Sequence, residues 1–273
     1  AQHAARPRLV VDSDDWEGPG GWNDDPRVAY SAMQRRFFAW QERYGLGHAD
    51  AWTVASVCLR ERAIAFGAAP ERVHVLHNGL SDFGQTLLRA ELCKQENSLA
   101  VLLYTRFAGV VPAEVAALWA QVRAVQPDAT LTVIGRGVGG EEQALADVPG
   151  IVLAGWHEPA ELPTLFARHA LAIVPWADTP GNRARHSAKV LELMAAGLPV
   201  VAYGVGELPA TLGDAGVIVP PGDREAFVGA VTTLLCDPAR AARLGAAARA
   251  RVAGHFDWDA LAEIALCAYG YGA

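Results

Sequence analysis

Along the chain, short apolar and β-branched runs alternate with stretches whose apolar positions recur at helical spacing. In the first part, "RLVV" (8–11), "WTVAS" (52–56) and "VHVL" (73–76) predict strands, with helical patterns over Arg27–Tyr44 and Cys58–Phe66. A polar connector with mixed signals, "NGLSDFGQTLLRAELCKQENS", follows. A more regular series then begins, with strands predicted at "LAVLLYT" (99–105), "TLTVIG" (130–135), "GIVLAG" (150–155), "LAIVPW" (171–176), "PVVAY" (199–203) and "GVIV" (216–219). Helical patterns fill the intervals at Pro112–Val125, Glu141–Ala146, Pro159–Arg168, Ser187–Ala196 and Arg224–Leu235. Continuous apolar strands alternating with helices imply a parallel sheet covered on both faces, because parallel strands need crossover connections. The expected fold class is α/β, and the second part reads as a doubly wound parallel sheet with its ligand beyond the C-terminal strand ends.

Composition narrows the choice of partner. At 273 residues the chain has room for roughly two domains of ~100–200 residues each. A net charge of −7 and a pI near 5.6 argue against non-specific nucleic-acid binding and leave any phosphate recognition to a local site. Cys58, Cys93, Cys236 and Cys267 are scattered, which reads as reduced thiols. No apolar run approaches the ~20 residues that span a bilayer. The sequence opens at Ala1 without an initiating methionine or signal peptide, which leads us to expect that the natural first domain begins upstream.

Charge points to one stretch in particular. The chain has only two lysines, Lys94 and Lys189, and Lys189 stands three residues before Glu192 in "RARHSAKVLELMAAGLPVV". Ser187 is an expected N-cap, and Lys189, Glu192 and Ala196 share a helix face at the ligand edge of the sheet. An ammonium beside the positive end of a helix is unfavourable unless an anion joins both, and a diphosphate through Ser187, Ala188 and Lys189 would do so. Glu192, one turn deeper, suits the vicinal hydroxyls of a ribose. The plain alternative is a surface ion pair worth a few tenths of a kcal/mol.

Neighbouring strand ends add to that reading. "LLYTRFAGV" leaves Arg106 just past a strand on the same edge, where a second cation would complete a clamp on phosphate oxygens. "VIGRGVGG" is a glycine-rich turn in which Gly135 and Gly137 allow close approach of a ligand to the backbone. With Gly140 and, after the next strand, Glu158, it also matches a nicotinamide-dinucleotide pattern, though it follows the second strand of the series rather than the first.

Two other features call for weighing. "DSDDWEGPGGWNDD" gathers Asp12, Asp14, Asp15, Glu17, Asp24 and Asp25, which reads as a solvated or acceptor-facing loop in preference to a metal site. The Arg240–Arg251 stretch reads as an exposed basic helix face, with a membrane surface as the less common alternative.

The order of these pieces resembles the family-four glycosyltransferases. "VASVCLRERAIAFGAAPERVHVLHNGL" is similar to the segment closing their first domain, with Ser56, Asn78 and Gly79 in place. "LLYTRF", "LTVIGRG", "GIVLAGWHEPAELPTLFARHALAIVPW", "SAKVLELMAAGLPVVAYGVGELPATLGDAGVIVPPGDREAF" and "HFDWDALAEIAL" resemble the donor domain. The resemblance implies two Rossmann-like domains of the GT-B type, the first incomplete, and transfer of a sugar from a nucleotide-diphosphate donor with retention of configuration. It also implies no metal and no cofactor. By the same resemblance Arg106 meets the donor diphosphate, Glu192 holds the ribose and Lys189 is the lysine of a subgroup with "S-x-K". The first Glu of the family's Glu-x7-Glu element falls at Ala184, so Asp178, Asn182 or nearby arginines would supply the contact to the donor sugar. Base recognition would fall at Trp156, His157 and Glu158, and the acceptor side at Asp14, Asp15 and Trp16.

These expectations divide the chain into a partial acceptor-side domain (1–80), a linker (81–98), a donor domain (99–256) and a C-terminal helix (257–273) able to pack back on the first domain. Arg106 and Lys189 are the expected catalytic residues, stabilising charge on the leaving diphosphate. The partners are a nucleotide-sugar donor and a sugar, lipid or glycan acceptor, in the cytoplasm or at the inner membrane surface. Two other classes stay open: a catalytically silent sugar-nucleotide-binding module, and a nicotinamide-dependent oxidoreductase carried by the glycine turn alone.

Overall fold

A computed structural model of the chain describes residues 6–24, 30–90, 92 and 98–271. They fall into two compact units, one drawn from the described residues within 1–78, 179–186 and 257–273, the other from those within 79–178 and 187–256.

The first unit holds three parallel strands, β1 (Val10–Ser13), β2 (Ala51–Val54) and β3 (Val73–Val75), in that order. Helices α1 (Ala32–Gly47) and α2 (Val57–Ala65) make the crossovers. A capping box fixes the start of α1: Ser31 accepts from the Gln34 amide and Gln34 reaches back to the Ser31 amide. The helix therefore begins later than the periodicity from Arg27 suggests, and residues 25–29, including Asp25, lie outside the described residues. Ser56 caps α2 through the Leu59 amide at 3.1 Å. "RLVV" contributes only its last two residues to β1, because pairing of Val10 with Ala51 carries the strand on through Asp12 and Ser13. Leu46, Trp52, Val54, Leu59 and Val73 form the core, joined by Trp16 and Ala184.

The second unit begins with α3 (Asp82–Arg89), so the stretch read as a linker contains a helix capped by Ser81. It continues through β4 (Ala100–Tyr104), α4 (Pro112–Val125), β5 (Thr130–Ile134), β6 (Ile151–Gly155), α5 (Leu162–Phe166) and β7 (Leu171–Val174). The chain then passes through α6 (Pro180–Ala184), which belongs to the first unit. Back in the second unit come α7 (Ala188–Ala195), β8 (Val200–Tyr203), α8 (Leu208–Leu212), β9 (Val217–Val219), α9 (Arg224–Cys236) and α10 (Pro238–His255). The last helix, α11 (Trp258–Tyr269), packs beside β2 and β3 of the first unit.

All six strands of the second sheet are parallel, in the order β6-β5-β4-β7-β8-β9. Every residue of β7 and β8 is buried, as expected of strands covered on both faces. Strand order reverses between β4 and β7, which makes the C-terminal ends of those two strands the point where such a sheet opens for a ligand. The two following loops meet there: Val110 bridges Trp176, and the Ala177 amide donates to the Gly109 carbonyl at 3.0 Å.

Helix α10 corrects part of the reading of an exposed basic face: Arg240 and Arg243 are exposed, but Arg249 and Arg251 are half-buried. Arg249 donates to the carbonyls of Leu87, Leu88 and Ala90, and Arg251 to those of Ala210 and Thr211. Both arginines satisfy the orphan carbonyls at the ends of α3 and α8. Among the described residues no helix is long and apolar enough to cross a membrane.

Candidate functional site

At the end of β4 the chain turns sharply. Thr105 and Phe107 are buried, at 6% and 2% exposure, while Arg106 between them is exposed. The Phe107 amide donates to Thr105 Oγ1 at 2.8 Å, and Phe107 sits at φ 58°, a left-handed conformation costly for a bulky residue. Burying both neighbours is what points the guanidinium outward.

Gly135 supports this turn from β5. Its φ is 115°, its amide donates to Gly155 O at 2.7 Å, and a Cβ there would overlap the Thr105 carbonyl oxygen. The glycine is therefore needed for strand ends to approach one another. The rest of the turn is filled from within: the Gly137 amide donates to Glu142 Oε2 at 2.9 Å and the Gly139 amide to Glu141 Oε2 at 3.0 Å. The Gly137 bond holds the Glu142 carboxyl below the usual carboxylate range. A dinucleotide pattern needs those amides for a pyrophosphate and a helix behind them, whereas here carboxylates occupy them and a 3-10 turn, Glu141–Leu145, follows. The glycine turn thus gives no support to an oxidoreductase.

Helix α7 carries the charged pair. Its C-terminal end is closed by a Schellman arrangement, with the Leu198 amide on Leu193 O and the Gly197 amide on Met194 O, Gly197 at φ 69°. Its N-terminal end differs from expectation: Ser187 holds the N-cap position in an extended conformation, yet its side chain makes no capping bond. Ser187 and the exposed Ala188 thus begin the helix without a side-chain acceptor for its first amides.

Lys189 is half-buried, with Nζ 4.5 Å from the centre of the Tyr104 ring. Burial pushes its pKa down, as does the nearby charge of Arg106, with Glu192 opposing. Glu192 is shifted the other way: burial pushes its pKa up, against the pull of Lys189, Ser81 and Tyr104. Its Oε1 accepts from Ser81 Oγ at 3.1 Å, while Oε2 is buried without a well-formed donor. The Tyr104 hydroxyl, held in its neutral form by burial and by the charge of Glu192, faces the same carboxylate. The structure thus brings Arg106, Lys189 and Glu192 together around Tyr104 and Ser81. Neither of the last two was singled out from the sequence. Ser81 carried a signal, an N-cap serine opening a helix, hidden inside a stretch read as connector.

The expected base contacts lie further along the sheet edge. Trp156 (60% exposed), His157 and Glu158 follow β6, the edge strand two places from β4, roughly 10 Å away at ~4.8 Å per strand. His157 Nδ1 and the Glu158 amide both bond Glu161 Oε2, at 3.2 and 3.1 Å. Asp178 is exposed after β7. Asn182 is on α6 of the first unit and is buried, at 3% exposure. Ala184 is fully buried in the same core, where a glutamate would lack room and solvation.

In the first unit, Trp16 is core rather than surface: it is 5% exposed, its Nε1 donates to Pro19 O at 2.8 Å, and Arg62 stacks on it at 3.8 Å. Gly18 and Gly21 lie too close to its ring for any side chain. Asp14 accepts from Asn78 Nδ2 at 3.3 Å, and Asn78 also ties the loop before α7 through His186, donating from Nδ2 to its carbonyl at 2.8 Å and from the backbone amide to Nδ1 at 3.2 Å. Asp15 interacts with Arg185, whose pKa burial lowers to about 10. Among the described residues no group of three or more His, Cys, Asp or Glu side chains is arranged to hold a metal ion.

Comparison with known proteins adds two family matches: residues 107–237 match the model described as "Glycosyl transferases group 1", and residues 1–79 a "Glycosyl transferase 4-like domain". Together they cover well over half of the chain. A D-inositol 3-phosphate glycosyltransferase of Segniliparus rotundus is 27% identical over 222 residues, 75% of this chain and 48% of that protein. A glycogen synthase of Mycobacterium tuberculosis is 31% identical over 151 residues, 52% of this chain and 35% of that protein. The chain thus spans half or less of these curated relatives. Among solved structures, S. aureus TarM, in a crystal with fondaparinux, alpha-GlcNAc-glycerol and UDP, superposes with a TM-score of 0.73 at 12% identity, over 95% of this chain and 50% of that one. That likeness concerns the fold alone.

Proposed function

From the premise that the chain belongs to the group 1 glycosyltransferases, we propose that its second unit binds a nucleotide-diphosphate sugar and that the whole protein transfers that sugar to an acceptor hydroxyl with retention of configuration. The observation that carries this reading is the grouping of Arg106, Lys189 and Glu192 at the reversal of strand order, beside a helix start with no side-chain cap. Lys189 is depressed by burial and by Arg106, so a diphosphate that joins both cations relieves the strain each imposes on the other. The uncapped amides of α7 add a partial positive charge at the same place. Glu192, held by Ser81, is the carboxylate that meets the ribose hydroxyls in this reading.

During transfer the bond from the anomeric carbon to the diphosphate breaks and its electron pair passes to the phosphate oxygen. The acceptor oxygen forms the new bond on the same face and gives its proton to that phosphate. Arg106 and Lys189 stabilise the charge that builds on the leaving group, more in the transition state than before it, without recourse to a divalent ion. The TarM crystal containing UDP makes a uridine nucleotide the first to try.

The test is a binding screen in EDTA with UDP-, GDP- and ADP-sugars and NAD, followed by an assay of sugar transfer to glycan and lipid acceptors. Tight binding of one nucleotide sugar, and none of NAD, is expected. Binding of NAD alone, or of sugar nucleotides only with added magnesium, would overturn the reading.

A further inference from the structure

A cavity of about 600 Å³ lies entirely within the first unit, a size typical of small-molecule sites. Asp12 and Ser13 of β1, with Glu17 from the following loop, form one side, and Gln41 and Glu42 of α1 form another. Tyr30 and Phe38 supply apolar wall, their rings edge to face at 4.9 Å. Among the described lining residues the ionisable groups other than Tyr30 are all carboxyls, those of Asp12, Glu17 and Glu42. Hydrogen-bonding capacity is abundant, and part of it is already oriented. Asn23 Nδ2 donates to the Glu17 carbonyl at 3.0 Å, and Thr53 Oγ1 fixes Asp12 Oδ1 at 2.5 Å.

We propose that this cavity binds a hydroxyl-rich ligand carrying a protonated amine, such as an amino sugar or an amino polyol. Carboxylates and side-chain amides accept and donate in the pattern that vicinal hydroxyls need, and aromatic walls cover the apolar faces between them. The excess of carboxyls selects the charge of the ligand: it repels phosphates and carboxylates and favours a cation. Glu42 is the member left in tension. Its Oε1 is buried without a hydrogen-bond partner. Burial and the charge of Glu17 push its pKa up to about 7, opposed by Ser13 and by Arg62, which lies on α2 stacked over Trp16. Glu17 is raised as well, by burial and by Asp15. An ammonium placed between them would relieve both. This inference concerns the first unit alone and stands whether or not the second binds a nucleotide sugar.

The experiment is calorimetric titration of the whole chain with N-methylglucamine, a polyol that stays protonated across the range used, and with sorbitol, which has the hydroxyls without the amine. In 0.15 M salt, which screens the general negative charge of the surface, the amine should bind about 10-fold more tightly than sorbitol at pH 8. That preference should fall by roughly threefold or more at pH 6, as Glu42 takes up its proton. Glu42→Gln should remove most of the preference at pH 8, and Glu17→Gln, an independent probe should the first variant fold poorly, should reduce it too. Absence of binding by either compound, equal binding of both, or a preference untouched in both variants would overturn the proposal.

Discussion

Ser81 Oγ donates to Glu192 Oε1 at 3.1 Å while accepting the Gly84 amide at 3.1 Å, so one hydroxyl both starts helix α3 and orients the carboxylate on α7. Replacing Ser81 by Ala should cost about 1 kcal/mol of stability from the lost cap. It should also weaken nucleoside and nucleoside diphosphate to a similar degree, about 3- to 10-fold, because the carboxylate it holds faces the ribose. Urea unfolding and calorimetry measure the two effects, and a loss confined to the diphosphate would contradict this role.

Glu192 itself sets a preference for ribose. A carboxylate only accepts, and a side-chain amide in its place would offer hydroxyl donors one accepting oxygen instead of two. Glu192→Gln should therefore bind UDP more weakly and should reduce the preference for UDP over its 2′,3′-dideoxy analogue from about 10-fold to about 2-fold. Competition binding with the two nucleotides decides it.

Stability should depend on Glu42. Its folded pKa, near 7, lies above its ordinary value of 4.5. Between these values the unfolded chain releases the proton while the folded one keeps it, so the native state loses stability as pH rises through that window and regains it below pH 4.5. Because the side chain is partly exposed, solvent reduces the effect, and about 1–2 kcal/mol between pH 5 and pH 8 is expected. Denaturant midpoints of the native chain should fall relative to Glu42→Gln over that range. Parallel profiles would contradict the shift.

Much of this was legible in the sequence, for a reason visible in β7 and β8. Strands buried on both faces read as unbroken apolar runs, so the second sheet and the placing of Arg106 and Lys189 at its edge followed from pattern and charge. Side chains whose role depends on a distant partner were not legible. Ser81 lies 111 residues from Glu192, and only the packing of α3 on α7 joins them. Trp16 was misread because an exposed-looking loop of Asp, Gly and Pro folds around its ring, with Gly18 and Gly21 making the room. Arg249 and Arg251 were misread for a similar reason: periodicity shows that a helix face is basic and cannot show that helix ends lie beneath it.

The central claim is that Lys189 reads phosphate and nothing else of the nucleotide. Titrating UDP and uridine in EDTA into the native chain and into Lys189→Ala tests it most directly. UDP affinity should drop by ~1.5–3 kcal/mol in the variant, the scale of a charge-assisted hydrogen bond, while uridine binds both proteins alike. Equal losses for uridine and UDP, or UDP binding that is unchanged, would contradict it.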